Sequence, residues 1–134
     1  MKLKLAGLLL IVVVLFSCSN KEVPIGKWED NIELSKKQVK FTAAEETITI
    51  TTKGEGWWIS DITLNNDLIT GINEIDTTVS NFIIDKVEFK LERKNAKEIQ
   101  ISMTENQTNT KRILFIGLQS GNYFDGIFIT QSAK

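Results

Sequence analysis

The sequence predicts an all-β domain, an antiparallel sandwich, on three observations. Apolar and polar residues alternate with period two in several segments, and many of the apolar ones are β-branched, the mark of half-buried strands. Short polar stretches separate those segments. The chain holds one proline and eight glycines and no segment of low complexity. Beyond residue 29, about 105 residues remain, enough for one core and too few for two.

The segments run in order as follows. QVKF and TITITT are joined by AAEE (43–46), and in the second Ile48 and Ile50 alternate with threonines. In WWISDITL the parity breaks: Trp57 and Ile59 share one face, Ile62 and Leu64 the other. A bulge or corner is expected between them. Residues 65–81 are ambiguous. Leu68, Ile72, Ile75 and Val79 have helical spacing, but Gly71 and several Thr and Asn residues form helices poorly. Irregular or short-strand structure is the expectation. In VEFKLERK, Val87, Phe89 and Leu91 alternate with Glu88, Lys90 and Glu92. Asn95-Ala96 supplies a turn into EIQISM, and ENQTNT (105–110) separates that strand from RILFIGL. RILFIGL is apolar on both faces and belongs at the centre of a sheet. QSGN (119–122) then turns into YFDGIFIT, where Ile127 and Ile129 share a face with Gln131.

The first residues have a different character. Lys2 and Lys4 precede Leu5–Phe16, an uninterrupted apolar run. As a helix the run is about 18 Å long, too short for a hydrocarbon core of about 30 Å. A basic start and a short apolar centre describe an export signal. Leu15-Phe16-Ser17-Cys18 resembles the lipoprotein box of bacterial lipoproteins, in which the cysteine thiol receives a diacylglycerol and the chain is cut before it. Cys18 is the only cysteine and there is no histidine, so an intrachain disulfide is excluded. The resemblance implies a signal peptide at 1–17, lipidation of Cys18, and a tether over 18–29 ahead of a domain at 30–134. Buried acyl chains at about 0.8 kcal/mol per methylene anchor a protein stably when two or more are attached. By the same resemblance, Ser19 in place of aspartate implies the outer membrane or cell surface.

Removing Lys2 and Lys4 from 16 basic residues leaves 14 against 17 acidic ones, a net charge of −3. That balance argues against nucleic acid, which rewards clustered positive charge.

VKFTAAEETITITTKGEGWWIS and KRILFIGLQSGNYFDGIFITQSAK resemble the BACON-like domains, the immunoglobulin-like β-sandwiches of Bacteroidetes. The shared pattern is a Val/Phe strand, a Thr/Ile strand, a Gly-Trp turn and a last strand closing in ITQ at Gln131. The resemblance implies an immunoglobulin-like sandwich and a carbohydrate-binding role.

Enzyme chemistry finds little support in the residues. Without histidine, a serine or cysteine nucleophile lacks its usual base. Glu88 and Glu92 alternate with an apolar face and read as a solvated charged face rather than a glycosidase pair. DNIE and NND lack the spacing of a calcium loop. No catalytic residue, cofactor or metal is expected. The binding candidates are aromatic, because sugar C–H faces pack on rings while amides and carboxylates take the hydroxyls. Trp57 and Trp58 are adjacent and point to opposite faces of a regular strand, so at most one fills the core. The other either plugs a gap beneath residues 65–81 or forms a glycan platform with Asn122 or Tyr123. Trp28 is expected to staple the first strand to the domain. Asp76-Thr77-Thr78 resembles the Asp-Thr-x acceptor of Bacteroidetes O-glycosylation, with Thr77 as the acceptor. The expected function is non-catalytic: a surface lipoprotein, anchored through Cys18, that binds a glycan or a surface protein. The alternative is an accessory subunit of a surface complex.

Overall fold

The structure, a computed structural model, describes residues 29–134. The signal segment 1–17, Cys18, Trp28 and all of the tether except Glu29 lie outside the described residues. Nine strands form within them: β1 (Gln38–Phe41), β2 (Glu46–Thr51), β3 (Trp58–Leu64), β4 (Asp67–Leu68), β5 (Phe82–Asp85), β6 (Phe89–Lys94), β7 (Glu98–Met103), β8 (Arg112–Ser120) and β9 (Tyr123–Gln131). One sheet has the order β1-β9-β8-β3-β4 and the other β2-β7-β6-β5. The described residues therefore form an all-β sandwich, as the alternation predicts. β8 occupies the middle of the larger sheet, where its two apolar faces place it.

The core is built from the inward parity of both sheets. Ile59, Ile62, Leu114, Ile116, Leu118, Ile127 and Ile129 come from one, and Ile50, Ile84, Phe89, Leu91, Ile99, Ile101 and Met103 from the other. Each such side chain contributes roughly 1.5–3 kcal/mol on burial. Gln131 closes one end. It is buried, and its amide donates to the carbonyls of Thr104 (2.9 Å) and Ala44 (3.3 Å). Asn106, also buried, donates to the Thr110 and Ser132 carbonyls nearby.

Two local readings need correction. β1 pairs with β9 in parallel, not antiparallel. AAEE, which joins β1 to β2, is the crossing from one sheet to the other, since the two strands lie in different sheets. Thr42 fastens that crossing by donating its N–H and hydroxyl to Glu46 Oε1 at 2.7 and 2.6 Å. These bonds, the hydroxyl first, hold the Glu46 carboxyl below its usual range. Val87 is 85% exposed and precedes β6, because Lys86 N–H already turns back to the Phe89 carbonyl.

Residues 65–81 are irregular, as their poor helix formers predict. Asn65 and Asn66 have φ of 53° and 70° and form a two-residue turn between Leu64 and Asp67, the left-handed pair that matches strand twist. A single 3-10 turn follows at Ile72–Glu74, entered from Gly71 at φ 79°. Ile72 is buried whereas Leu68 and Val79 are exposed, so the helical spacing lines no common face.

Candidate functional site

Register places side chains across a sheet, since directly opposed residues share a face. On the outer face of the larger sheet, Gln38, Phe128, Phe115, Thr63 and Leu68 make one row. Gly126, Gly117 and Asp61 make the next. Phe124, Gln119 and Trp58 make a third. Phe124, Phe128 and Leu68 are 62%, 47% and 64% exposed, and Trp58 and Phe115 are half-buried. The result is an aromatic surface open to solvent. Trp58 and Phe124 stand two strands apart, roughly 10 Å.

Two glycines shape it. A Cβ on Gly126 would collide with the Phe115 ring, so the ring lies across that strand. Phe115 also packs on Phe128, with centroids 4.6 Å apart at 40°, a favourable offset geometry. A Cβ on Gly117 would collide with Ser60 and Asp61. Those two residues oppose one because of the bulge the broken parity predicts, which shifts register between Ile59 and Asp61. The extra residue lets Ile59 and Ile62 both reach the core, while Ser60 and Asp61 both lie over Gly117. The Ser60 hydroxyl donates to Asp61 Oδ1 at 2.7 Å. Beside them opens a cleft of about 320 Å³, lined by Ser60, Asp61 and the 68–73 segment. Polar acceptors thus stand between aromatic rows, an arrangement that can stack a ring and hydrogen-bond its substituents.

Of the sequence-predicted contacts, only Trp58 belongs to this surface. Trp57 is 1% exposed and is the core tryptophan, which removes it as a ligand contact. Its Nε1 donates to Thr52 Oγ1 at 3.1 Å. Tyr123 has the opposite parity to Phe124 and packs against the core, its hydroxyl donating to Asp125 Oδ2 at 3.3 Å. Burial, then the Asp125 and Asp30 carboxylates, push the Tyr123 phenol up. Tyr123 and Trp58 are therefore on opposite faces. Asn122 is exposed at the tip of the β8–β9 turn, just past the Gln119–Phe124 pair. Thr77 is buried, and its hydroxyl accepts the Ile59 N–H at 3.1 Å, so the fold does not present it as a glycosylation acceptor. Among the described residues no group of carboxylates or other ligands is placed to hold a metal.

A second cluster closes the sandwich end. Lys37 Nζ bonds Asp125 at 2.7 Å and lies 3.6 Å from Asp30. The Asp125 bond, outweighing desolvation, raises the Lys37 pKa. At Asp30, burial pushes upward, but the Glu33 and Ile32 N–H groups and the Lys37 ammonium outweigh it and hold the carboxyl low.

Arg93 was not singled out by its sequence. It is 1% exposed, with its guanidinium carbon 3.6 Å from the Trp57 ring centroid. It donates to the carbonyls of Trp57 (2.8 Å), Ala96 (3.0 Å), Val79 (3.2 Å), Thr77 (3.3 Å) and Glu55. Desolvation lowers its pKa, partly offset by Glu55. One side chain thus ties β6 to three connecting segments and stacks beneath the core tryptophan. The available signal was parity: after Phe89 and Leu91, position 93 falls on the inward face.

No family model matches this chain, and no curated protein matches it. Among solved structures, a protein from Bacteroides thetaiotaomicron determined by NMR is similar with a TM-score of 0.62 and 20% identity, covering 81% of this chain and 92% of its own. A titin M4 domain aligns with a TM-score of 0.40 and 4% identity over 77% of this chain and 91% of its own. The first likeness is one of fold.

Proposed function

We propose that this chain is a lipid-anchored envelope protein whose sandwich binds glycan, without catalysis, through the outer face of its larger sheet. The anchor rests on the signal-like first residues and Cys18, and the envelope setting at the outer membrane or cell surface follows from them. The BACON-like resemblance supports the same class of ligand. The observation that carries the reading is the aromatic surface of Trp58, Phe115, Phe124 and Phe128, centred on Ser60 and Asp61. Nothing in the folding of a sandwich requires rings on an outer face, whereas flat sugar rings are held by such rings with polar groups beside them.

A glycan array probed with the full chain, alongside Trp58→Ala and Phe124→Ala, tests it. Hits weakened by either variant support the reading; an array without hits removes it. The second reading, an accessory subunit docked through this face, draws on the exposed aliphatic Leu68 in the Phe128–Phe115 row. For the anchor, labelled palmitate should appear on the wild type, and Cys18→Ala should leave the membrane fraction. Sedimentation of the variant with membranes contradicts lipidation.

A further inference from the structure

We propose that the cleft between β3 and residues 68–73 is a subsite for an amine-bearing sugar, whose ammonium sits against the Asp61 carboxylate. The inference rests on the glycan reading and adds the chemistry of one sugar unit.

Asp61 is the one charged residue lining the cleft among the described residues. Among the described residues it takes part in no ion pair. Ser60 donates to its Oδ1, which leaves the second carboxylate oxygen as an acceptor. The nearby cation, Lys86, is engaged with the Thr70 carbonyl at 3.2 Å and fastens the opposite wall. A carboxylate outside any ion pair is complementary to a positive group, to which it offers charge-assisted hydrogen bonds. It repels the carboxylate of a uronic acid, and the Lys86 ammonium is already bonded to the Thr70 carbonyl.

A basic peptide shares the charge but not the approach. Extended peptides dock by adding to a sheet edge, and the β3 edge at the cleft is occupied. β4 pairs with it, Ile69 N–H donates to the Ile62 carbonyl, and the Thr77 hydroxyl takes the Ile59 N–H. What remains accessible is the face, which suits a ring laid on rings.

Titration calorimetry of the full chain separates the cases with four probes: a β-linked glucosamine tetramer, its N-acetylated counterpart, a galacturonate tetramer and tetralysine. The conditions keep the amine protonated. The glucosamine tetramer is expected to bind about tenfold more tightly than the acetylated one, the scale of one charge-assisted hydrogen bond. Asp61→Asn should abolish that difference and keep the binding of the acetylated tetramer. Trp58→Ala should weaken both. Equal affinity for the two tetramers, a preference that survives Asp61→Asn, or tighter binding of galacturonate overturns the subsite while leaving the glycan reading standing. Tetralysine alone binding through Asp61 also overturns it and assigns the cleft to a protein. No binding of any probe removes the subsite, and the glycan array then decides the glycan reading.

Discussion

The two outer faces of this sandwich obey the same alternation and have opposite chemistry. On the smaller sheet, register sets Ser102 between Thr47 and Lys90, and Gln100 between Thr49 and Glu92. Thr47 and Ser102 share a hydrogen bond of 2.8 Å, and Lys94 donates to Gln100 at 3.0 Å. Among the described residues, only Ile83, at the edge strand β5, is a large exposed apolar residue there. On the larger sheet the corresponding positions hold Trp58, Phe115, Phe124 and Phe128. The smaller sheet shows that this fold tolerates a polar outer face. The rings on the larger one are therefore not a demand of folding, and exposed apolar clusters of this kind mark interaction sites.

Substitutions separate the roles of the two faces. The largest effect belongs to neither face. Arg93→Ala leaves carbonyls of five residues without their donor and is expected to cost about 3 kcal/mol or more in chemical denaturation, since a single buried unsatisfied acceptor already costs about 1–3 kcal/mol. A loss below about 1 kcal/mol would show that water replaces the guanidinium. Next comes the aromatic face. Trp58→Ala with Phe124→Ala should lower glycan affinity tenfold or more, about 1.4 kcal/mol, with a smaller change in stability than any core truncation. Gly126→Ala should lift the Phe115 ring off its strand, costing about 1 kcal/mol of stability and weakening binding without removing a single ring. The polar face supplies the smallest effect: Thr49→Ala should change stability by no more than about 0.5 kcal/mol and leave binding untouched. An equal loss of binding from that variant would erase the distinction between the faces.

Acidity acts on neither face but on the turns. Asp30, Glu46 and Asp76 have lowered pKa values; at Asp76 the cause is the Thr78 hydroxyl, then its N–H. Their contribution is present above the unfolded carboxyl range, near about 4, and is lost as pH falls below it, because the unfolded chain then binds more protons. Lys37 and Tyr123 have raised values, so their contribution is full below about pH 10 and is lost as the pH rises past it. With no histidine in the chain, thermal melts across neutral pH should be flat between those limits.

Much of this fold is legible in the residues. Period two marks the strands, two-faced apolarity marks β8 as central, and broken parity marks the Ser60 bulge. What is not legible is set by long-range pairing. Which of Trp57 and Trp58 is buried depends on where Arg93 lies, 36 positions on from Trp57. That Gly117 faces Ser60 and Asp61, and that Gly126 lies under Phe115, follows only once β3, β8 and β9 are in register. The surface itself left a trace: Phe124 and Phe128 fall out of phase with Ile127 and Ile129, so one parity is apolar where a solvated face would be polar. Tyr123, offered as a loop contact, instead opens β9 on the inward parity and packs against the core.

The most direct measurement is an amide chemical-shift map of the full chain titrated with the N-acetylglucosamine and glucosamine tetramers. The perturbed amides are expected to cluster at 58–63, 113–119 and 124–130, the strands carrying the rings, and to extend into 68–73 for the amine-bearing tetramer. Shifts centred on 47–51 and 98–103, the polar face, would contradict it, as would an unperturbed spectrum with both sugars.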